Sequence, residues 1–242
     1  MKADIYSIDG KKIKQIALPQ QFDEPVRTDL IKRAVTALQS KKIQPYGTAS
    51  RAGMRASADI SKRRRRYKTT YGRGQSRTPR KVLNVRGSQF YFVGAFAPQT
   101  RGGRRAHPPK PGKIWLNKIN RKERLKAIRS ALAATSMKEL VQQRGHRIDE
   151  LKNVVESKVE SITKTKDAQK FLISLGLEKE LQRVGIKKVR AGKGKNRGRK
   201  YKRKTGPLLV VSKECPLQKA ARGIEGVDIC TPNQLNAELL AP

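Results

Sequence analysis

Apolar side chains follow three different regimes along this chain. At the start, ADIYSIDG alternates apolar and polar positions as a half-buried strand does, with a turn at Asp9-Gly10. VRTDLIKRAVTALQSKK then places Leu30, Ile31, Ala34, Val35 and Leu38 at helical spacing, closes with lysines, and is stopped by Pro45. Periodicity lapses from Tyr46 to Gly112 and returns after Lys113. NRKERLKAIRSALAATS predicts a helix capped by Asn120, with Leu125, Ile128 and Leu132 on its apolar face. TKDAQKFLISLGL predicts another, capped by Thr165 and ended near Gly176. LLVV at 208–211, after Gly206-Pro207, reads as a buried strand. GVDICTPNQL reads as strand, turn and helix, with Thr231 as N-cap and Pro232 at the first helical position; LNAELLAP finishes that helix. NVVESKVESI fits either a weak strand or part of a helix.

Strands alternating with helices imply βαβ units, so the expected class is α/β: a single Rossmann-like open sheet, mainly parallel, with helices on both faces. Residues 1–45 and 113–242 would form one discontinuous domain, and 46–112 a long extended basic loop inserted into it. Connections beyond about 12 to 15 residues without their own secondary structure are uncommon and usually functional. Folded back as an extended hairpin, this one could reach at most roughly 100 Å.

Charge changes the picture of that segment. The chain carries 57 Lys and Arg against 19 Asp and Glu, a formal net charge of +38. Self-repulsion on this scale points to a polyanion as the usual environment, and nucleic acid is the natural one. An anionic membrane surface would call for an amphipathic helix or a lipidation signal beside the basic cluster, and neither is found. MKADIYSIDG, with acids at Asp4 and Asp9 and no apolar run, does not fit a signal peptide, and no stretch approaches the ~20 apolar residues of a membrane span. Cys215 and Cys230 lie outside any CxxC pattern and read as reduced, structural thiols.

Within the inserted segment Asp59 is the one acid. The candidate phosphate contacts there are Arg51, Arg55, Lys62, Arg63, Arg64, Arg65, Arg66, Lys68, Arg86 and Lys110. Four consecutive arginines cannot share one helix face, so an extended chain threaded among several phosphates is expected at 63–66. Gly72 and Gly74 bracket Arg73 and suit a sharp reversal, the tip of a hairpin. Tyr67 and Tyr71 either stack on unpaired bases or stand in solvent. Phe90, Phe92 and Phe96, in GSQFYFVGAF, either stack on bases or form a short strand packed on the segment's other limb or on the body. A second basic island, VRAGKGKNRGRKYKRK, reads as a flexible loop in which Lys193, Lys195, Arg197, Arg199, Lys200, Lys202, Arg203 and Lys204 neutralise phosphates.

Enzyme readings lack residues. In the island, Gly192 and Gly194 are followed by Arg197 where GxGxxG needs glycine, and no Walker loop occurs. His107 and His146 read as hydrogen-bonded or phosphate-facing, and no nucleophile triad or two-metal motif assembles. An RNA-modifying enzyme on a Rossmann-like domain would need a Gly-rich turn after the first strand, and DGKKIKQIALPQQF supplies none. A DNA-compacting protein is disfavoured because a deep irregular loop suits folded RNA better than a regular duplex. No cofactor is expected.

Several segments carry a resemblance. DIYSIDG, a helix, YGTASRAGMRASADISKRRRRYKTTYGRGQSRTPR, FVGAFAPQTRGGRRAHPPKPGKIWLNKINRKERLKAIRSALAAT and RGHR follow one another as in the L-four (uL4-type) family of universal large-subunit ribosomal proteins, in its archaeal form. The resemblance covers essentially the full chain, and the absence of a long C-terminal tail is similar to archaeal rather than eukaryotic members. It implies a globular α/β domain on the outer face of the large subunit and a loop penetrating between ribosomal RNA domains. The tip, lining the narrow part of the nascent-peptide exit tunnel, would be Tyr71, Gly72, Arg73, Gly74 and Gln75. Arg63 to Arg66, Arg77, Arg80, Lys81, Arg101, Arg104 and Arg105 would hold RNA along the two limbs. Where bacterial members carry a lysine near the tip, this sequence has Tyr71 and Lys68. Ribosomal RNA, neighbouring ribosomal proteins and the nascent peptide are the implied partners, in the cytoplasm. With so little apolar surface, the loop is expected to be disordered until RNA orders it.

Overall fold

The computed structural model describes residues 1–66, 69–87 and 89–241. They group into two compact units: Met1–Lys41 with Asn117–Pro242, and Lys42–Leu116, called the arm below. In chain order the elements are β1 (Lys2–Tyr6), β2 (Lys12–Ala17) and α1 (Thr28–Lys41), then β3 (Ala58–Asp59), β4 (Arg80–Arg86) and β5 (Gln89–Gly94) in the arm. There follow α2 (Arg121–Thr135), α3 (Lys138–Gln143), β6 (Val154–Val155), α4 (Thr165–Ser174) and α5 (Glu178–Gly185). The chain ends with β7 (Lys188–Val189), β8 (Tyr201–Lys202), β9 (Leu208–Val210), α6 (Pro216–Ala221), β10 (Asp228–Cys230) and α7 (Ala237–Leu240).

The α/β class holds, but the single mainly parallel sheet does not form among the described residues. Strands assemble as four small sheets, β2-β1-β6, β9-β10, β3-β4-β5 and β7-β8. Two of the pairings are parallel, β1 with β6 and β9 with β10, and the rest are antiparallel. The reason is strand length: β6, β9 and β10 run two or three residues, too short a ladder to propagate a sheet. A shared apolar core unites them instead. Phe171, Leu172 and Leu175 at α4, Leu217, Ala220 and Ala221 of α6, and Val159, Val211 and Val227 are all buried in one cluster. Tyr6 and Val155 from one parallel pair, and Leu209 and Ile229 from the other, pack against it.

A second cluster joins α1, α2 and α7 through Ala34, Ala127 and Ala237, with Leu30, Val35 and Leu38 around it. Helix α2 begins as expected, with an Asn120–Glu123 capping box. Its inward stripe differs from the expected one: Ala127, Ser130, Ala131 and Ala133 are buried, while Leu125 is 46% exposed. Small side chains let helix axes approach closely, so the alanines win the inner face. Ser130 Oγ also accepts from Arg27 N at 2.6 Å and donates to Pro25 O at 3.1 Å, fixing the chain that enters α1.

Three further expectations shift at the ends of elements. Lys164, not Thr165, is the N-cap of α4, and Thr165 is its first helical residue. The helix expected after Thr231 is one 3-10 turn, Pro232–Gln234, after which Asn236 Oδ1 starts α7 by accepting from Glu238 N and Leu239 N at 3.0 Å each. The ambiguous stretch near 153–162 is β6 followed by a 3-10 turn, Ser157–Ser161. Gly10 turns the β1–β2 hairpin at φ 76°, where a Cβ would run into the carbonyl of Ser174.

Candidate nucleic-acid interface

Pairing inside the arm is local. Thr48 N donates to Pro109 O at 3.0 Å, and Gly47 lies so close to Pro111 that a Cβ there would clash, so the arm's first and last residues run side by side. Farther along, Gly53 backs onto the Gly103–Arg104 peptide in the same way. Between these points the arm has almost no interior: Ala95 is its one fully buried apolar side chain among the described residues. No ion pair joins two described residues of the arm, and Asp59 Oδ1 accepts instead from the adjacent Ile60 N at 2.7 Å. The exposed arginines from Arg51 to Arg105 therefore have no carboxylate partner among the described residues of the arm.

The arginine run does not lie extended as expected. Ser61 and Thr69 form an isolated bridge, Thr69 Oγ1 donates to Arg63 O at 2.6 Å, and Arg65 has φ 56°. Arg63, Arg64, Arg65 and Arg66 thus sit on a tight loop, each exposed, as is Lys62. Tyr67 and Lys68 lie outside the described residues.

Next comes the turn expected as the tip. Tyr71, Gly72, Arg73, Gly74 and Gln75 are all exposed, with Gly72 at φ 87° and Gly74 at φ 66° and open space around both. The Tyr71 ring has company: the guanidinium carbons of Arg64 and Arg77 lie 5.3 and 5.9 Å from its centroid. Arg80 is also engaged. Its Nη1 donates to Ser76 O at 2.7 Å and Thr78 O at 3.2 Å, its Nη2 to Ser76 Oγ at 2.9 Å, and its guanidinium carbon sits 5.2 Å from the Phe92 ring centroid. This side chain braces the base of the turn.

Sequence reasoning missed a second reversal. β4 and β5 form a hairpin, Val82 opposite Phe92 and Val85 opposite Phe90, bulged between Val82 and Asn84 and turned at Gly87 with φ 59°. Phe90 and Phe92 do lie on a short strand, but β5 pairs with β4 on the same side of the Tyr71–Gln75 turn rather than with the segment's other limb, because the close Gly87 reversal brings β4 alongside first; the two rings meet at 5.0 Å. Alternation in RKVLNVR was the available signal, masked by its bulge and charges. Phe96 lies past β5 in a left-handed conformation, φ 70°, held by Arg104 N donating to Phe96 O at 3.3 Å. Arg51, Arg55, Lys81, Arg86, Arg101, Arg105 and Lys110 are exposed, and Arg104 is half-buried.

The second basic island has more structure than a flexible loop. β7 and β8 pair antiparallel, a 3-10 turn spans Lys193–Arg197, and Gly192 and Gly198 adopt φ 79° and 77° at its ends. Arg190 ties the strands by donating from N to Lys200 O at 2.8 Å and from Nε to Arg199 O at 3.1 Å. Lys193, Lys195, Arg197, Arg199, Lys200, Lys202, Arg203 and Lys204 are all exposed, with Arg203 also paired to Glu225 at 2.9 Å on the surface.

Beside the island is a buried ion cluster. Glu180 is 1% exposed; its Oε2 accepts from Arg183 Nε at 2.8 Å and Arg147 N at 2.9 Å, and its Oε1 lies 2.7 Å from His146 Nδ1. Arg183 Nη2 also donates to Thr205 O at 2.6 Å, just beyond the island. Burial alone would push the Glu180 carboxyl up, but the donors Arg183, His146 and Arg147 N outweigh it and hold the carboxyl at about 2. His146 is thus hydrogen-bonded rather than phosphate-facing. Cys215 and Cys230 are free thiols, and burial, then Asp228, pushes the Cys230 thiol up, as for an inert structural cysteine.

Fold and surface together define an α/β protein with a strongly cationic arm that buries almost no apolar side chain. Sequence comparison narrows this. The model of the ribosomal protein L4/L1 family matches residues 16–242, and the chain belongs to that family. It is 50% identical to the large ribosomal subunit protein uL4 of Nanoarchaeum equitans over 243 residues, covering 100% of this chain and 91% of the relative. It is similar also to the proteins of that name from Methanothrix thermoacetophila, 46% identical, and Methanosphaera stadtmanae, 43% identical. These alignments span 100% of this chain and 91% and 89% of the relatives.

Proposed function

We propose that this chain is a structural, non-enzymatic constituent of the large ribosomal subunit in the cytoplasm, binding ribosomal RNA chiefly through its arm. Family membership and the name its relatives carry support the ribosomal role. One observation carries the RNA reading: the arm exposes arginines and lysines throughout yet fully buries only Ala95 among its described apolar side chains. A two-residue strand and one hairpin give marginal stability, so the arm needs an external partner to hold its shape, and phosphates are the partner its charge selects. Cationic side chains neutralise RNA segments that would otherwise repel one another, and counterion release favours assembly. The exposed turn at Tyr71–Gln75 lines the nascent-peptide exit tunnel, the reading its place in the family pattern supports. Lys193, Lys195, Arg197, Arg199, Lys200, Lys202 and Lys204 form a second phosphate-binding surface, and neighbouring ribosomal proteins complete the partner set.

Sedimentation of cell extract tests the role: the protein travels with large subunits, and its recovery only in free fractions would refute it. Binding of the purified chain to large-subunit ribosomal RNA should weaken steeply between 50 and 200 mM salt, by about 10³- to 10⁵-fold for six to ten phosphate contacts. A flat dependence would remove the phosphate argument.

A further inference from the structure

Where the ends of the arm run together they leave an open cleft of about 760 Å³ lined by Tyr46, Pro109, Lys110, Pro111, Lys113 and Trp115 among others, none of them acidic. The Tyr46 and Trp115 rings lie 5.2 Å apart with planes tilted by 32°, and the Lys113 ammonium sits 4.6 Å from the centre of the Trp115 ring. Tyr46 is 59% exposed. The indole N–H of Trp115 is shut away from solvent and has no acceptor among the described residues, an unmet hydrogen bond of the kind proteins rarely tolerate.

Each part has a chemistry. An indole backed by a phenol ring is a stacking surface for a planar ring such as a nucleobase. An ammonium resting on such a face is held weakly and exchanges it readily for an anion. Proline walls give shape without competing donors, and two lysines without a carboxylate select a negatively charged ligand. Stacking plus phosphate neutralisation is how proteins grip unpaired nucleotides.

We propose that this cleft holds one unpaired nucleotide of RNA. The base stacks on Trp115 in the place Lys113 now occupies, and the Lys113 ammonium swings to the flanking phosphate together with Lys110. A ribose or phosphate oxygen of the same strand then supplies the acceptor that the indole N–H lacks once the side chain turns toward the cleft. The inference rests on the RNA-binding reading above and adds to it a nucleobase contact at the root of the arm, in residues that phosphate arithmetic passes over.

Trp115 is the sole tryptophan of the chain, so its emission reports this cleft alone. The full-length protein is titrated at low salt with a labelled ten-nucleotide oligoadenylate and separately with inorganic polyphosphate, following label anisotropy and tryptophan emission. Oligoadenylate is expected to bind and quench Trp115, whereas polyphosphate competes for binding without quenching. Trp115→Leu should weaken oligoadenylate about tenfold and leave polyphosphate unchanged, and Trp115→Phe should restore most of the loss and show that the scaffold is intact. Oligoadenylate that binds with Trp115 emission unaltered, or equal quenching by polyphosphate, overturns the cleft while leaving phosphate binding in place. Failure of both probes to bind at low salt overturns the RNA reading itself.

Discussion

The Ser40 hydroxyl accepts a hydrogen bond from the Asn117 backbone N–H at 3.0 Å while donating to Ala37 O at 2.7 Å. Ser40 is buried in the last turn of α1, and Asn117 is the first residue after the arm. One side chain therefore stitches together the two points at which the chain leaves and rejoins the α/β unit. A 75-residue excursion, 42 to 116, thus opens and closes at one place. Ser40→Ala would leave the Asn117 N–H without its acceptor and should cost about 1–2 kcal/mol in urea unfolding. An unchanged midpoint would show that water or a neighbour takes over.

The Glu180 cluster makes stability depend on acid. Its folded carboxyl, at about 2, lies below the ordinary value of 4.5, so the stabilisation is fully present above pH 4.5 and is lost as pH falls toward 2. Glu180→Gln should flatten that acid limb and, by leaving Arg183 without its carboxylate, destabilise the protein by about 3 kcal/mol at neutral pH. Urea midpoints measured across pH 2 to 7 check both parts.

Arginines of the arm should separate into two functional kinds. Replacing Arg63, Arg64, Arg65 and Arg66 with alanine removes exposed charges, and should lower the salt slope of RNA binding by up to about 3, at roughly 0.7 per lost phosphate contact. Arg80→Ala should change that slope by less than one unit. Its effect should appear as faster proteolysis at 71–78, because its guanidinium holds Ser76 and Thr78.

Limited proteolysis of the RNA-free protein should cut first within 42–116, where Ala95 is the only fully buried apolar side chain among the described residues. Added ribosomal RNA should protect those sites. Early cutting in α4 or α6 instead would contradict the division of stability proposed for the chain.

Gly10→Ala should destabilise the α/β unit by more than about 1 kcal/mol, since the residue sits at φ 76° and its missing Cβ leaves room for the Ser174 carbonyl. Thermal unfolding of the variant measures it.

Charge and periodicity, both properties of the linear chain, were enough to show the α/β class, the basic character of the middle segment, the helices α1, α2 and α4, the strand β9, and the glycine turn at 72–74. Each of these depends on interactions within a few residues, such as the Asn120–Glu123 capping box, or on charge that no fold can cancel. Pairing was another matter. Which strands meet is settled by the core they share, so four small sheets formed where the alternation of elements suggested one. Packing distance chose alanines over leucines for the inner face of α2. Likewise, Arg63 to Arg66 look alike as letters, yet a bridge between Ser61 and Thr69 bends them into a loop. Tyr46 and Trp115, 69 positions apart in sequence, became one surface only when the ends of the arm came together. Contacts between residues far apart along a chain carry no local signature, and in this protein those contacts set the geometry of everything the charge announces.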